Sequence, residues 1–114
     1  MAACEFGELL KQLIKKEGLS QQDFHNKVGI GKPYFYDILS GKVAPPPSEV
    51  QHKMVAILTK STQDEKTKLF DIAAKERGEI PADIAKLIND NPSDIGAIRK
   101  ILSALLVSRT IKLN

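Results

Sequence analysis

Apolar residues recur at helical spacing along most of the chain. The first such stripe consists of Phe6, Leu9, Leu10, Leu13 and Ile14. Residues at these intervals of three and four lie on one face of an amphipathic helix. Gly18 follows the last turn, and a glycine ends a helix readily because it adopts the left-handed conformation at little cost. The pattern therefore predicts a first helix that stops just before Gly18.

Two short helical patterns follow, one on each side of a glycine-containing turn. Ser20 is a suitable N-cap for the second helix, and Gly29 ends that helix. The third helix begins near Lys32-Pro33, where proline suits the first turn because its missing N–H would be unpaired there anyway. Gly41 ends this helix. Two short helices joined by such a turn are typical of proteins that present the second helix to the major groove of DNA.

Four more helices are predicted after this pair, and strand signals are weak throughout. The triple proline at residues 45–47 cannot be helical and separates the third helix from the fourth. Ser48 is expected to cap the fourth helix, with Gln51 at the capping-box position. Thr62 and Glu65 form the same motif for a fifth helix, which runs to about residue 77.

The last two predicted helices are rich in apolar residues. Pro81 opens the sixth helix, Asn91-Pro92 breaks it, and the seventh runs from about residue 93 to residue 106. The apolar residues of the seventh helix are Ile95, Ile98, Ile101, Leu102, Leu105 and Leu106, and this character continues in Val107, Ile111 and Leu113. A helix this apolar is either buried in its own chain or pairs with a partner. We expect homodimerisation through the C-terminal helices, and an intrachain core is the alternative.

Composition narrows the class of protein. The chain has 114 residues, of which 42% are hydrophobic and 27% charged, so it forms one domain or a small domain with an extension. The single cysteine, Cys4, cannot form an internal disulfide. No apolar run approaches the roughly 20 residues that span a bilayer, and the N-terminus lacks the pattern of a signal peptide. We therefore expect a soluble, cytoplasmic protein.

The net charge leaves nucleic-acid binding open, and the residues that could bind metals, bind phosphates or catalyse reactions exclude several functions. The net charge of +3 is compatible with nucleic acid without requiring it. His25 and His52 are the only histidines, and no spacing of ligands suggests a metal site. The stretch around Gly31 lacks the second half of a phosphate-binding loop. Because no nucleophile, base and oxyanion hole can be assembled, we expect no enzymatic activity and no cofactor.

The helix–turn–helix segment also carries a family pattern. Its features are the first apolar stripe and the residues Gly18-Leu19-Ser20-Gln21, Phe24, Val28-Gly29-Ile30, Phe35, Ile38 and Gly41. From Phe6 to Leu58 the chain resembles the phage-repressor (Cro-like, or XRE) helix-turn-helix family. The resemblance implies an all-α fold, with a five-helix repressor-type DNA-binding bundle over residues 1–61. Residues 62–114 would then form a helical extension, and its expected role in dimerisation comes from the apolar seventh helix and not from the resemblance.

The resemblance implies two contacts with the DNA backbone and leaves a third open. Gln21 matches the family's phosphate-contacting glutamine at the start of the second helix, where free N–H groups and the helix dipole favour an anion. Lys42 follows the third helix, where the family often has a cation that contacts the backbone. For Tyr34 two roles remain open, packing against the core and contact with a phosphate.

Four positions match those that face the groove: Lys32, Pro33, Tyr36 and Asp37. Lys32 is expected to reach guanine O6/N7 or a phosphate, and Tyr36 a thymine methyl or a phosphate. Pro33 has no hydrogen-bond donor and offers only an apolar contact, for instance to a thymine methyl. Asp37 repels phosphates unless it accepts a hydrogen bond from cytosine N4.

Two further residues depart from the family pattern. Gly31 stands where a serine or threonine usually caps the recognition helix, and it has no side-chain acceptor. His25 replaces a small residue, usually alanine, where the second and third helices approach closely, and we expect it to open their packing.

The resemblance therefore implies a sequence-specific transcriptional regulator of bacterial or phage type, and a repressor in particular. Its partner would be double-stranded DNA. The alternative is a protein-interaction module on the same scaffold, such as an antitoxin, an anti-repressor or a phage-encoded inhibitor. Pro33, Asp37 and the low net charge favour that alternative modestly.

Overall fold

The computed structural model describes the backbone of residues 4–113 and the side chains of residues 4–107. Within this range the chain is helical and contains no strand, which confirms the predicted all-α class. The helices are α1 (Glu5–Glu17), α2 (Gln21–Val28), α3 (Lys32–Ser40), α4 (Ser48–Ile57), α5 (Gln63–Arg77), α6 (Ala82–Asp90) and α7 (Ile95–Leu113). A short 3-10 turn over Pro92–Asp94 precedes α7.

Most predicted helix ends are confirmed. Gly18, Gly29, Gly41 and Gly78 each follow a helix with a positive φ, the conformation for which glycine is favoured. The seventh helix extends to Leu113, beyond the predicted end at residue 106. The side chains of Ile111 and Leu113, which were predicted to continue its apolar character, lie outside the described residues.

The predicted cap of α4 is wrong. Pro47, with φ −64° and ψ 165°, is the N-cap, and Ser48 is already the first helical residue. Gln51 does not close a capping box, because its side chain is buried and its Nε2 donates to the Pro46 carbonyl at 2.8 Å. The triple proline is extended and rigid, so the helix starts at the serine itself and the N-cap lies one residue earlier than predicted.

The fold consists of two compact units, one that ends at Asp83 and one that begins at Ile84. The first contains α1 to α5 and the start of α6. In this unit α1 packs against α3 and α5, and α2 packs against α4. The predicted functional division after residue 61 stays a prediction.

The core of the first unit is mainly aliphatic around three phenylalanines. Phe6, Phe24 and Phe35 are fully buried. Around them lie the buried side chains of Leu10, Leu13, Ile14, Val28, Ile38, Leu39, Met54, Leu58, Leu69 and Ala73. The α1 stripe therefore packs as its spacing predicts, with only Leu9 left partly exposed. Burial of this apolar surface is the main stabilising contribution to the unit.

A glycine allows α1 and α3 to approach each other closely. Gly7 is buried in α1, and a Cβ built at this position would lie 2.0 Å from the backbone carbonyl oxygen of Leu39. Both atoms in that clash are fixed to backbone, so no side-chain rotation can relieve it. Any larger residue at position 7 must therefore push the two helices apart.

Two glutamates fasten the loop between α4 and α5 to the C-terminal end of α1. Glu17 accepts hydrogen bonds from the Lys60 N–H at 2.8 Å and the Thr59 hydroxyl at 2.7 Å. Glu65 accepts from the Thr62 N–H at 2.8 Å and from Lys16 at 2.6 Å, which confirms the capping box of α5.

These hydrogen bonds lower the pKa of both carboxyl groups. For Glu17 the main cause is the bond from the Lys60 N–H, followed by that from Thr59. For Glu65 it is the bond from Lys16, followed by that from the Thr62 N–H. Hydrogen bonds to the charged form favour that form, so both pKa values lie below the ordinary 4.5.

We expect Gly7→Ala to destabilise the first unit by roughly 1–3 kcal/mol or more, as overpacking of a tight contact does. The matched control is Gly96→Ala in α7, where an added Cβ meets nothing within 4 Å. That change should be neutral or stabilising by up to about 1 kcal/mol. Urea denaturation followed by circular dichroism measures both, and equal stability of the two variants would contradict the close approach.

We expect Glu17→Gln to lower stability at neutral pH and to flatten the acid side of the stability profile. A carboxyl with a lowered folded-state pKa stabilises the fold above its unfolded pKa, and this contribution is lost as the pH falls through the folded value. Thermal unfolding between pH 7 and pH 3 measures the effect. Glu49→Gln, at an exposed glutamate in the first turn of α4, is the control and should retain the wild-type slope below pH 4.5.

Candidate nucleic-acid interface

The inner side of α3 is anchored by one ring. Phe35 is fully buried, with its centroid 5.9 Å from that of Phe24 and 5.3 Å from that of the His25 imidazole. Ile38 and Leu39 are buried on the same side of the helix. Because this side faces the core, the remaining positions of α3 are directed toward solvent.

His25 joins α2 to the turn that leads into α3. It is buried, with 6% of its surface exposed, and its Nδ1 lies 3.2 Å from the Ile30 carbonyl oxygen. The imidazole that was expected to open the helix pair packs against Phe35, and α2 and α3 remain in contact. A bulkier residue is accommodated because its polar edge finds a backbone partner.

The first turn of α3 offers few hydrogen-bond donors. Gly31 is the N-cap in extended conformation and provides no side-chain hydrogen bond, as the sequence predicts. The first N–H groups of a helix have no intrahelical partner, so those of Lys32 and Tyr34 are available to a ligand. Pro33 contributes none. Two backbone donors and the dipole of α3 therefore face solvent.

The exposed side of α3 combines one cation, two aromatic rings and one carboxylate. Lys32 and Pro33 are exposed, and Tyr34 and Tyr36 are exposed to similar degrees, 37% and 40%. Tyr36 also packs edge-on against Phe35, with centroids 5.4 Å apart. The four positions expected to face the groove all belong to this helix, and helical spacing puts Pro33, Tyr36 and Asp37 on one face.

Asp37 differs from its neighbours because it is half-buried. Its backbone carbonyl accepts hydrogen bonds from the Lys42 N–H at 3.0 Å and from the Ser40 hydroxyl at 3.2 Å. Gly41, with φ +80°, makes this tight helix end possible. Asp37 thereby helps to position the backbone of Lys42, whose side chain is exposed.

The start of α2 carries two amide side chains. The Ser20 hydroxyl accepts from the Asp23 N–H at 3.0 Å, as the predicted cap requires. Gln21 is half-buried, whereas Gln22 is exposed. Sequence reasoning selected Gln21 and passed over Gln22, although the pair Gln21-Gln22 itself signals two amide donors in the first helical turn.

Metal-binding clusters and membrane-spanning helices are absent from the residues that the structure describes. Within residues 4–107 no group of histidine, cysteine and carboxylate side chains could hold a metal ion. None of the helices in the described part of the chain is both long and apolar enough to cross a membrane. The solvent-exposed side of α2 and α3 carries the cations, aromatic rings and amide side chains described above, and it is the candidate site.

Comparison with known proteins gives one finding. The model of a family described as "Helix-turn-helix domain" matches residues 5–65, a span that covers α1 to α4 and the N-terminal turn of α5. No curated protein matches the chain significantly, and no solved structure does.

We expect His25→Ala to destabilise the first unit by about 1–3 kcal/mol, because the change leaves a void beside Phe35 and an unpaired Ile30 carbonyl. Asn26→Ala is the matched control, since Asn26 is the next residue of α2 and is exposed. Urea denaturation of both variants at neutral pH measures the difference. Wild-type stability of His25→Ala would mean that the imidazole does not support the turn.

Proposed function

The chain belongs to the helix-turn-helix domain family, a family of XRE-like DNA-binding domains, and we propose that it is a sequence-specific transcriptional regulator. We propose further that it acts as a repressor of bacterial or phage type, by occupying an operator. The observation that carries the proposal is the exposed first turn of α3, held out from the core on the buried Phe35. Members of such a family are typically not enzymes.

Contacts with phosphates would supply most of the affinity. Gln21 lies in the first turn of α2, and Lys32 in the first turn of α3, where helix dipoles favour an anion. Lys42 adds a third contact just beyond the C-terminus of α3. Exposed lysines and unpaired N–H groups at these places suit a polyanionic backbone and carry no sequence preference of their own.

Base reading would fall to Pro33, Tyr36 and Asp37. Pro33 and the ring of Tyr36 offer apolar surface, which in the major groove is complementary to the methyl group of thymine. Asp37 can only accept a hydrogen bond when ionised, and cytosine N4 is the major-groove donor that carboxylates typically contact. Tyr34 lies beside this set and would contact a phosphate through its hydroxyl.

Two copies would bind one operator. We propose homodimerisation through the C-terminal helices, which would set two recognition helices about 34–36 Å apart, one turn of DNA. A palindromic operator matches the two-fold symmetry of such a dimer.

A protein-interaction module on the same scaffold is the second candidate function. The exposed rings of Tyr34 and Tyr36 favour it, together with Val43, which is 36% exposed. Aromatic residues are enriched in protein interfaces, and an antitoxin or anti-repressor would use this surface for a protein partner rather than for DNA.

Affinity selection from random duplexes tests the proposal. We expect a recovered half-site that contains thymine and a salt dependence with a slope near −0.9 for each phosphate neutralised. Replacing thymine by uracil in the selected site removes only the methyl groups, and this should weaken binding if Pro33 and Tyr36 read them. Failure to bind any duplex at low salt would contradict the proposal and favour the protein-interaction alternative.

We expect Lys32→Ala and Lys42→Ala each to weaken binding to all duplexes and to reduce the salt slope by about 1, as removal of a phosphate contact does. Fluorescence anisotropy over a salt series measures both quantities. Lys68→Ala is the control, because Lys68 is exposed on α5 beside Glu5 and Glu8 of α1. An unchanged salt slope in both variants would show that these lysines do not contact DNA.

A further inference from the structure

Two side chains hold the triple proline in the α3–α4 connection, residues 41–47. Proline has no N–H, so this stretch cannot bond through backbone donors of its own. The Pro45 carbonyl accepts from Arg77 Nη1 of α5 at 2.9 Å, and the Pro46 carbonyl accepts from Gln51 of α4 at 2.8 Å. Both prolines are buried, and a buried carbonyl needs a partner. The path of the α3–α4 connection therefore depends on one donor from each of the two following helices.

The guanidinium of Arg77 is itself held in one orientation. Its Nε donates to Glu79 Oε1 at 2.9 Å, and its Nη2 lies 2.8 Å from the same oxygen. These two nitrogens form one edge of the planar group, and Nη1, which bonds Pro45, lies on the other edge. The Arg77 side chain is only 25% exposed. A rigid fork thus links the end of α5 to the Pro45 carbonyl.

The exposed segment 42–44 is anchored at both ends. At its start, the Asp37 carbonyl accepts from the Lys42 N–H at 3.0 Å and from the Val43 N–H at 3.4 Å. At its end, the segment joins Pro45, whose carbonyl is held by α5. All three residues of the segment are exposed, so burial does not fix them. Hydrogen bonds at the two ends therefore set the path of the backbone that carries Lys42.

We infer that Arg77 positions Lys42 for the phosphate contact proposed above. This inference rests on the proposed function and adds to it a residue of α5 that makes no contact with DNA. Arg77 lies beyond residue 65, where the match to the helix-turn-helix domain ends. A part of the DNA-binding surface is thus held in place from outside the matched span.

The charge of Arg77 argues against a direct contact between this residue and DNA. The guanidinium forms an ion pair with Glu79, so it brings no uncompensated positive charge to a phosphate. Its three nitrogens already bond the Pro45 carbonyl and the Glu79 carboxylate. The Lys42 side chain, by contrast, is exposed and has no ion pair within residues 4–107. Arg77 therefore acts on the path of the backbone, and Lys42 meets the phosphate.

A double-mutant cycle on the full chain tests the inference, by fluorescence anisotropy with a duplex recovered in the affinity selection. We expect Arg77→Ala to weaken binding on the order of 2- to 10-fold, because an anchor is lost and binding must then order the connection. In the Lys42→Ala background the same change should alter binding by less than about twofold, since the residue that Arg77 positions is gone. Equal losses in the two backgrounds would overturn the inference.

Lys75→Ala is the matched control for charge. It also removes one cation from α5, and Lys75 is exposed, so this variant should bind the duplex like the wild type. A loss of affinity equal to that of Arg77→Ala would show that net charge, and not the position of Lys42, causes the effect. That result would also overturn the inference.

Amide hydrogen exchange, followed by NMR without DNA, tests the positioning itself. We expect the Lys42 N–H to exchange at least about tenfold faster in Arg77→Ala than in the wild type, because the connection opens locally. The Phe24 N–H, which bonds the Ser20 carbonyl at 3.0 Å in α2, is the reference and should keep its wild-type rate. An unchanged rate at Lys42, or an equal acceleration at Phe24, would contradict a local role for Arg77.

A second variant and the wild type keep the outcomes separate. Should Arg77→Ala lose helical circular dichroism, Arg77→Met replaces it with the same expected results, since it removes the donors but keeps the aliphatic stem. Absence of DNA binding in every protein, the wild type included, would reject the proposed function and with it the phosphate contact. The exchange rate at Lys42 would still decide whether Arg77 positions the connection.

Discussion

The burial of one side of α3 is the constraint on which the candidate interface depends. Phe35 contacts Phe24 and His25, and the backbone of α3 at Leu39 lies so close to α1 that only glycine fits at position 7. These contacts leave α3 no freedom to rotate about its axis without exposing a phenylalanine or colliding with α1. The solvent-facing side of α3 is therefore determined by the packing of its opposite side.

As a result, the core residues and the surface residues of α3 have different roles. Phe35, Ile38 and Leu39 position the helix, whereas Lys32 and Pro33 meet the solvent and can change without disturbing the core. Tyr36 is also exposed, but its ring packs against Phe35. Asp37 belongs partly to each group, because its carbonyl organises the helix end that leads to Lys42. A surface with few donors on a rigid support is suited to recognition by shape and apolar contact more than by a dense set of hydrogen bonds.

The two units differ in how much of their apolar surface is buried within a single chain. The first buries its phenylalanines and most of its large aliphatic residues around α1. The second consists of a short helix beside a long one, and large side chains such as Leu87 and Ile101 stay exposed. A small domain needs enough helix to enclose a core, and α6 does not provide enough to cover α7.

Local signals in the sequence determined the number and type of the helices, and nearly all of their ends. These signals are the glycines that end helices, the serine and threonine caps and the α1 stripe. Because each acts over a few residues, it can be recognised without the tertiary structure. The seven candidate DNA-contacting residues came from resemblance to a family, and the matched family model supports that resemblance over residues 5–65. It does not test the residues one by one.

Tertiary structure decided what depends on where side chains turn once the core has formed. Pro47 rather than Ser48 caps α4, because Gln51 turns inward to the Pro46 carbonyl. His25 fits beside Phe35 because the Ile30 carbonyl accepts its polar edge. Gly7 is essential to the approach of α1 and α3, yet nothing in its local sequence distinguishes it from an ordinary helical glycine. In each case the deciding atom belongs to another helix or to a loop, and its position is set only when the core forms.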